Sequence, residues 1–278
     1  MFEKYKEYKE SFDKEIISYF KKGALAETLN YAIEEGKRIR PLLLIASYEM
    51  LTDKKANQTV VNYALALEFI HNYSLVHDDL PAMDDDDYRR NRLSVHKKYD
   101  EGSAILTGDG LLNKAYEILF NEISKATSLD EFKQLSRAGK TIAHYSGLDG
   151  MIGGQVIDVF ELSKSKSDIL DMYDKKTCGL IKAATVAAAY LSACDLEQIE
   201  QMRSLGEKIG LAFQLQDDFL DKEEDQAIEK TTYLTYANER ETSELIDRLT
   251  QEALSIIQQY KNKEFMEKLV NSLVDRSH

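Results

Sequence analysis

Residues 57–87 read NQTVVNYALALEFIHNYSLVHDDLPAMDDDD, and this stretch decides the fold. Over residues 57–79 it is rich in Ala and Leu and apolar almost all round. A helix of that kind is normally buried at the centre of a larger helical structure. The character then changes abruptly: Asp78 and Asp79 follow, then Pro81, then the run Asp84–Asp87. Proline removes a backbone donor and disturbs the turn before it, so a bulge or helix end is expected there.

The rest of the chain repeats the helical pattern. Apolar residues recur at helical spacing over 5–21 and 24–35, and Pro41 opens the run PLLLIASYEML, where the first helical turn needs no donor. Further helices are expected over 102–124, 129–146, 168–192, 196–221, 231–237 and 241–275. The breaks fall at 97–102, 147–154, 163–167 and 222–229, and none is long enough or sufficiently rich in Gly, Pro or Ser to be a domain linker. Only two prolines and thirteen glycines stand against abundant Leu, Ala, Ile, Glu and Lys in 278 residues. That balance suits helices over sheets. The expectation is an all-α, single-domain helical bundle spanning residues 1–278.

With 43% hydrophobic and 31% charged residues, the chain has an ordinary globular balance. Its net charge of −13 argues against a nucleic-acid partner, which calls for a basic surplus. Cys178 and Cys194 give neither a zinc spacing nor a disulfide framework. The first residues, MFEKYKEYKESFDKEI, are too charged for a signal-peptide core, and no apolar run is long enough to anchor the chain in a bilayer. A cytoplasmic protein is expected.

Two acidic clusters point to chemistry. In Asp217-Asp218-Phe-Leu-Asp221, Asp217 and Asp221 are four apart and share a helix face, about 6 Å apart along the axis. Like charges at that spacing destabilise a helix, and the flanking LAFQLQ is too apolar for a casual solvated face. A cation would compensate them. Oxygen ligands without interleaved His or Cys suit Mg²⁺, which characteristically bridges carboxylates to substrate phosphates. In the first cluster Asp78 and Asp84 are six apart, about 120° out of register on a straight helix. A local bulge or a helix end at Pro81 would swing Asp84 back toward Asp78. A calcium loop counted from Asp84 fails, because its sixth position is Arg89 and its twelfth Val95. Lys37, Arg38 and Arg40 precede this cluster and Arg89 and Arg90 follow it. Compact basic groups beside metal-type carboxylates suggest a multiply charged anionic substrate.

The segments EGKRIRP (35–41), HNYSLVHDDLPAMDDDDYRRNR (71–92), GDGLL (108–112), GGQVID (153–158), KTCGLI (176–181) and FQLQDDFLD (213–221) together resemble the motifs of bacterial-type short-chain trans-prenyl diphosphate synthases. They occur in family order from about residue 30 to 235. The resemblance implies an isoprenoid-synthase-type bundle with a central active-site cavity, cytoplasmic and homodimeric. It also implies Mg²⁺-dependent head-to-tail condensation of isopentenyl diphosphate with dimethylallyl or geranyl diphosphate. Asp78, Asp79, Asp84, Asp217, Asp218 and Asp221 would then hold a cluster of three Mg²⁺. Lys37, Arg40, His71 and Arg90 would bind isopentenyl diphosphate, and Arg89, Lys176, Thr177, Gln214 and Lys230 the allylic substrate. Asp78, Asp79, Asp84, Arg89, Lys176 and Asp217 would carry the catalysis. Gln155 and Asp158 match motif positions in a supporting role, and His77, His96 and His144 are read as structural.

Tyr73 lies five residues before Asp78, about 7.5 Å along the helix, where a bulky side chain would floor a growing prenyl tail. The family pattern links an aromatic there with a fifteen-carbon limit, so farnesyl diphosphate is the expected product. Geranyl or geranylgeranyl diphosphate is the alternative product, and a weakly active or non-catalytic synthase subunit the alternative role. The match departs from the family after Asp221, where KEEDQAIE is short and Glu229 and Leu234 stand for the usual Gly and Pro. Asn91, Leu93 and Ser94 likewise replace Gly, Pro and Thr. A terpene cyclase is disfavoured by the second aspartate motif and the Lys37/Arg40 segment. A di-iron bundle is disfavoured by the lack of Glu-x-x-His pairs.

Overall fold

A computed structural model of the chain describes residues 2–17, 19–223 and 231–274. Among these residues the fold is all-helical apart from one two-stranded hairpin. Two compact units are distinguished within the chain. The first comprises Phe2–Leu42 and Asn57–Leu135, the second Leu43–Ala56 and the chain from Ser136 onward.

In the first unit the order is α1 (Glu3–Ile17), α2 (Ala26–Ile33), the start of α3 (Ile39–Thr52), α4 (Gln58–Asp78), β1 (Tyr88–Arg89), β2 (Arg92–Leu93), α5 (Val95–Lys98) and α6 (Glu101–Ser124). The all-round apolar reading of residues 57–79 is reproduced by α4. Asn57 caps it by accepting from the Val60 amide at 3.0 Å, and every residue from Tyr63 to Ile70 is buried. Its main neighbour is α6. The GDGLL segment acquires a reason here, because a Cβ on Gly108 would sit 2.1 Å from His77 Nε2. The glycine lets the α4 imidazole lie on α6, where its Nε2 stands 3.1 Å from the Ile105 carbonyl.

The second unit contains the rest of α3, most of α7 (Leu129–Ser146), then α8 (Met151–Val159), α9 (Lys166–Lys176), α10 (Cys178–Leu191), α11 (Leu196–Leu220), α12 (Tyr233–Tyr236), α13 (Glu239–Ile257) and α14 (Glu264–Val274). Helices α10, α11 and α13 form its centre. Three expected elements differ. The single helix over 168–192 is two helices that meet at Thr177. The helix over 241–275 is also two, with residues 258–263 between them. The break at 147–154 is shorter, because α8 already starts at Met151. Periodicity runs through each of these boundaries, since short-range apolar spacing does not register a change of helix direction when no proline marks it. No helix among the described residues is long and apolar enough to cross a membrane.

The first unit has a charged group at its core. Arg38 is fully buried with a left-handed φ of 52°. Its Nε donates to Asp13 Oδ1 and its Nη1 to Glu68 Oε1, each at 2.8 Å, and Nη2 donates to the Ile33 carbonyl. Burial alone would lower its pKa, but Glu68 and Asp13 more than reverse that. This corrects the grouping of Arg38 with the substrate-facing basic residues, because its guanidinium is already engaged by two carboxylates. Removing one partner of a buried pair leaves the other charge uncompensated. Arg38→Met is expected to cost about 3–5 kcal/mol, read as a lower urea midpoint at unchanged slope.

Candidate functional site

The first acidic cluster is shaped by the end of α4. The helix stops at Asp78, the Asp79 amide still donates to the Leu75 carbonyl at 3.1 Å, and the chain turns back through Pro81. The Asp84 amide then donates to the Asp78 carbonyl at 2.9 Å, while those of Met83 and Asp85 donate to the Leu80 carbonyl at 2.8 and 3.1 Å. The six-residue spacing is thereby closed by a helix end, one of the two outcomes expected at Pro81. Asp84 is exposed and Asp78 half-buried, whereas Asp79 is 3% exposed. Asp79 Oδ1 accepts from Arg89 Nε at 2.9 Å and from Arg89 Nη2, which also reaches Asp86 at 3.0 Å. Burial raises the Asp79 pKa despite that guanidinium.

Arg89 is positioned by the hairpin, in which Tyr88 pairs with Leu93 and Arg89 with Arg92. Both turn residues are left-handed, Arg90 at φ 55° and Asn91 at φ 61°. That is the two-residue hairpin geometry in which Asn is favoured beside Gly, which accounts for Asn91 at a position where glycine is usual. Arg92 secures the hairpin by pairing with Glu34 at 2.9 Å and lying 4.1 Å from the centre of the Tyr31 ring.

A cationic group surrounds His71 on α4. Arg40 Nη1 is 3.2 Å from His71 Nε2. Burial lowers the His71 pKa well below 6.5, and Arg40, Arg90, Arg38 and Arg89 lower it further. Burial also draws Arg90 below its ordinary value, with Glu68 opposing and Arg38 and Arg89 adding to the effect. Beyond burial, four guanidinium groups act on this one imidazole, so positive charge is gathered here, as suits an anion. Lys37 is exposed, its carbonyl accepting from the Tyr5 hydroxyl. Tyr73, two residues further along α4 towards Asp78, is 6% exposed and meets His77 edge-on at 5.7 Å. Burial, with Tyr116 and Asp78, pushes its phenol up to about 12, so it remains neutral.

The second unit holds the other cluster. Asp217 is half-buried in the last turn of α11. Asp221 caps that helix, exposed, its amide donating to the Asp217 carbonyl at 2.9 Å. Asp218 points inward at 3% exposure. Its Oδ2 accepts from the Tyr173 hydroxyl at 2.7 Å and the Tyr233 amide at 3.3 Å, and its Oδ1 from Gln214 Nε2 at 3.1 Å. Gln214 Oε1 in turn accepts from the Thr177 hydroxyl at 2.7 Å. One carboxylate therefore ties α9, α11 and α12 together and sets Thr177 at the α9–α10 break.

Lys176 ends α9 and pairs with Asp158 of α8. A Cβ on Gly154 would lie 2.3 Å from the Lys176 amide nitrogen, so glycine is what allows α8 to come that close. Both polar atoms of the Gln155 side chain are buried without a hydrogen-bond partner, a costly state that a polar ligand would relieve. Lys222 is engaged by Glu239. Lys230 and Glu229, with most of the segment after Asp221, lie outside the described residues.

The residues that sequence reasoning undervalued are those whose role needs a distant partner. Tyr173 could not be linked to Asp218 across 45 positions. The signal for Arg38 was present but indirect, since Glu68 is a lone acid in an apolar helix and needs a buried cation.

The polyprenyl synthetase family profile matches residues 22–275. The chain belongs to the polyprenyl synthetase family. It is 35% identical over 271 residues to the farnesyl diphosphate synthase of Micrococcus luteus, covering 91% of this chain and 89% of that protein. It is 34% identical to the farnesyl diphosphate synthase of Escherichia coli, covering 93% and 91%. Among solved structures, the apo form of an FPP/GFPP synthase from Zymomonas mobilis superposes with a TM-score of 0.85 at 29% identity, covering 98% of this chain and 96% of that one. A geranyltransferase from Legionella pneumophila also gives 0.85, at 33% identity and 99% and 95% coverage. The all-helical polyprenyl synthetase fold expected from the sequence is the fold observed.

The environment of His71 has a measurable consequence. Below pH 6.5 the unfolded chain takes a proton at this imidazole that the folded chain refuses, because the folded pKa is lowered. Stability from His71 is therefore fully present above pH 6.5 and is lost as pH falls below it. His71→Asn should show a smaller drop in guanidinium midpoint between pH 7.5 and 5.5 than the parent protein.

Proposed function

We propose that this polyprenyl synthetase joins isopentenyl diphosphate to dimethylallyl and then geranyl diphosphate, giving farnesyl diphosphate as its main product. The observation that carries this reading is the cationic group of Arg40, Arg90 and neutral His71 in the same unit as the Asp78–Asp84 turn. One feature recruits an anion and the other offers carboxylates for the cation that would accompany it. The names of the relatives support the substrate class.

In this reading Asp78, Asp84, Asp217 and Asp221 supply oxygen ligands, a donor set that fits Mg²⁺. Asp79 and Asp218, buried among internal donors, hold Arg89 and the Thr177–Gln214 pair in position. Magnesium bound by these carboxylates would neutralise the charge of a departing diphosphate. Lys37, Arg40 and Arg90, with His71 beside them, bind the isopentenyl diphosphate, and their fixed donors need no reorganisation when it arrives. Arg89, Lys176, Thr177 and Gln214 bind the allylic diphosphate, with Lys230 as a further contact. Ionisation of that diphosphate leaves an allylic cation, which the double bond of isopentenyl diphosphate attacks. The released diphosphate takes the proton that the joined product then loses. The buried apolar face of α4 keeps water from the cation. Residues 1–278 are proposed to work as one catalytic domain, consistent with the extent of the family match.

Incubation with isopentenyl and dimethylallyl diphosphates and Mg²⁺ should yield a fifteen-carbon product by chromatography. Absence of any Mg²⁺-dependent product would defeat the proposal, and Asp84→Asn should lower kcat by about 10²–10³. Tyr73→Ala should lengthen the product if this phenol forms the floor of the tail site; an unchanged chain length would reject that role. A homodimer is also proposed, supported by exposed Leu106 and Phe120 on α6 and Phe132 on α7. Sedimentation should then return twice the 31.8 kDa chain mass.

A further inference from the structure

The run Asp84–Asp87 contains more carboxylates than the proposed magnesium ligands use, and a histidine lies beside the extra ones. Ligand atoms of Asp85, Asp87 and His96 all fall within 4.8 Å of one another. Asp85 and Asp87 are exposed, but His96 is only 7% exposed. Its Nδ1 is 3.0 Å from Ser94 Oγ, and its Nε2 is buried with no hydrogen-bond partner, 3.9 Å from Asp85 Oδ1.

We propose that Asp85, Asp87 and His96 form a site for a divalent transition metal of the zinc type, separate from the magnesium carboxylates. Three features of the chemistry carry it. A buried ring nitrogen without a partner is costly, and its position between two carboxylates gives it a use. Ser94 Oγ can accept from Nδ1–H, the outer contact that fixes the tautomer of a metal-bound imidazole and leaves Nε2 with its lone pair. The backbone then holds the parts together. The Ser94 amide donates to the Asp87 carbonyl at 2.9 Å, and Asp85 is left-handed at φ 51°.

One nitrogen with two carboxylates is a donor set for Zn²⁺, Co²⁺ or Mn²⁺ rather than Mg²⁺. Bonds of about 2.1 Å around a tetrahedral ion place ligands about 3.4 Å apart. Rotation of the two exposed carboxylates covers the remaining distance. Lys97 competes for the same groups, its Nζ standing 2.8 Å from Asp87 Oδ1 and 3.9 Å from Asp85 Oδ1. It is half-exposed on a flexible stem, so it can move into solvent when the ion enters. Its ammonium charge there stands in for the cation.

The test is calorimetric titration of the intact protein with Zn²⁺ in saturating Mg²⁺, which occupies sites built only from oxygen. One equivalent is expected to bind, and ¹⁵N-histidine spectra should show the His96 Nε2 resonance shifting on addition. His96→Gln should weaken the affinity at least tenfold. Lys97→Ala should strengthen it; a generic acidic surface would share that gain but not the dependence on His96. If His96→Gln proves unstable by circular dichroism, the surface double variant Asp85→Asn/Asp87→Asn should show the same loss. The proposal is overturned if the parent protein takes up no Zn²⁺ above the Mg²⁺ background. Equal uptake in His96→Gln, or an unmoved His96 resonance, overturns it too. None of these outcomes depends on prenyl transfer, so the two readings stand or fall separately.

Discussion

The ion pair between Arg38 and Glu68 is the constraint on which the first unit depends. A carboxylate in the middle of an apolar helix carries a desolvation cost of several kcal/mol unless it is matched by a well-aligned cation. Arg38 matches it, and Asp13 of α1 and the Ile33 carbonyl at the end of α2 hold the same guanidinium. The loop before α3 is thereby fixed against α1, α2 and α4 at once. Its consequence is positional. Lys37 and Arg40 flank an immobile residue, so Arg40 meets His71 one helical turn beyond Glu68.

A comparable arrangement organises the second unit. Asp218 accepts from Tyr173, Gln214 and the Tyr233 amide, and its two neighbours in the motif, Asp217 and Asp221, are left at the end of α11. Each aspartate-rich motif thus divides its labour. One carboxylate in each, Asp79 or Asp218, is buried and bonded inward, and the others stand where water and ions reach them. A buried carboxylate with several donors is rigid, so it sets the direction of the helix end that carries its neighbours.

Electrostatics then separates the surfaces. The chain is acidic overall, yet Arg40, Arg90, Arg38 and Arg89 all act on the buried His71 imidazole and gather positive charge there. A positive site within a negative molecule focuses the field on its mouth and favours a small polyanion over an extended one. The departures at Asn91 and Ser94 fit this architecture. Asn91 supports the left-handed turn that aims Arg89 and Arg90, and Ser94 bonds both the Asp87 carbonyl and His96.

Much of this was legible in the sequence. The apolar run through residues 57–79, the scarcity of proline and the helical periods gave the all-α class, because burial and backbone propensity are local properties of composition and spacing. The motifs around Asp78, Asp217, Lys37 and Lys176 were likewise visible, since each is a short segment. Local spacing also marked Pro81 as the place where a bulge or helix end would carry Asp84 back to Asp78. What it could not decide was which members of each motif face inward. Arg38 and Arg40 differ by two positions, yet one is locked to Glu68 and the other lies at His71. The same holds for Asp218 against Asp217, for the helix break at Thr177, and for His96, whose open nitrogen appears only once the hairpin brings it to Asp85. Those outcomes depend on partners tens of residues away, and only the folded chain specifies which buried charge meets which.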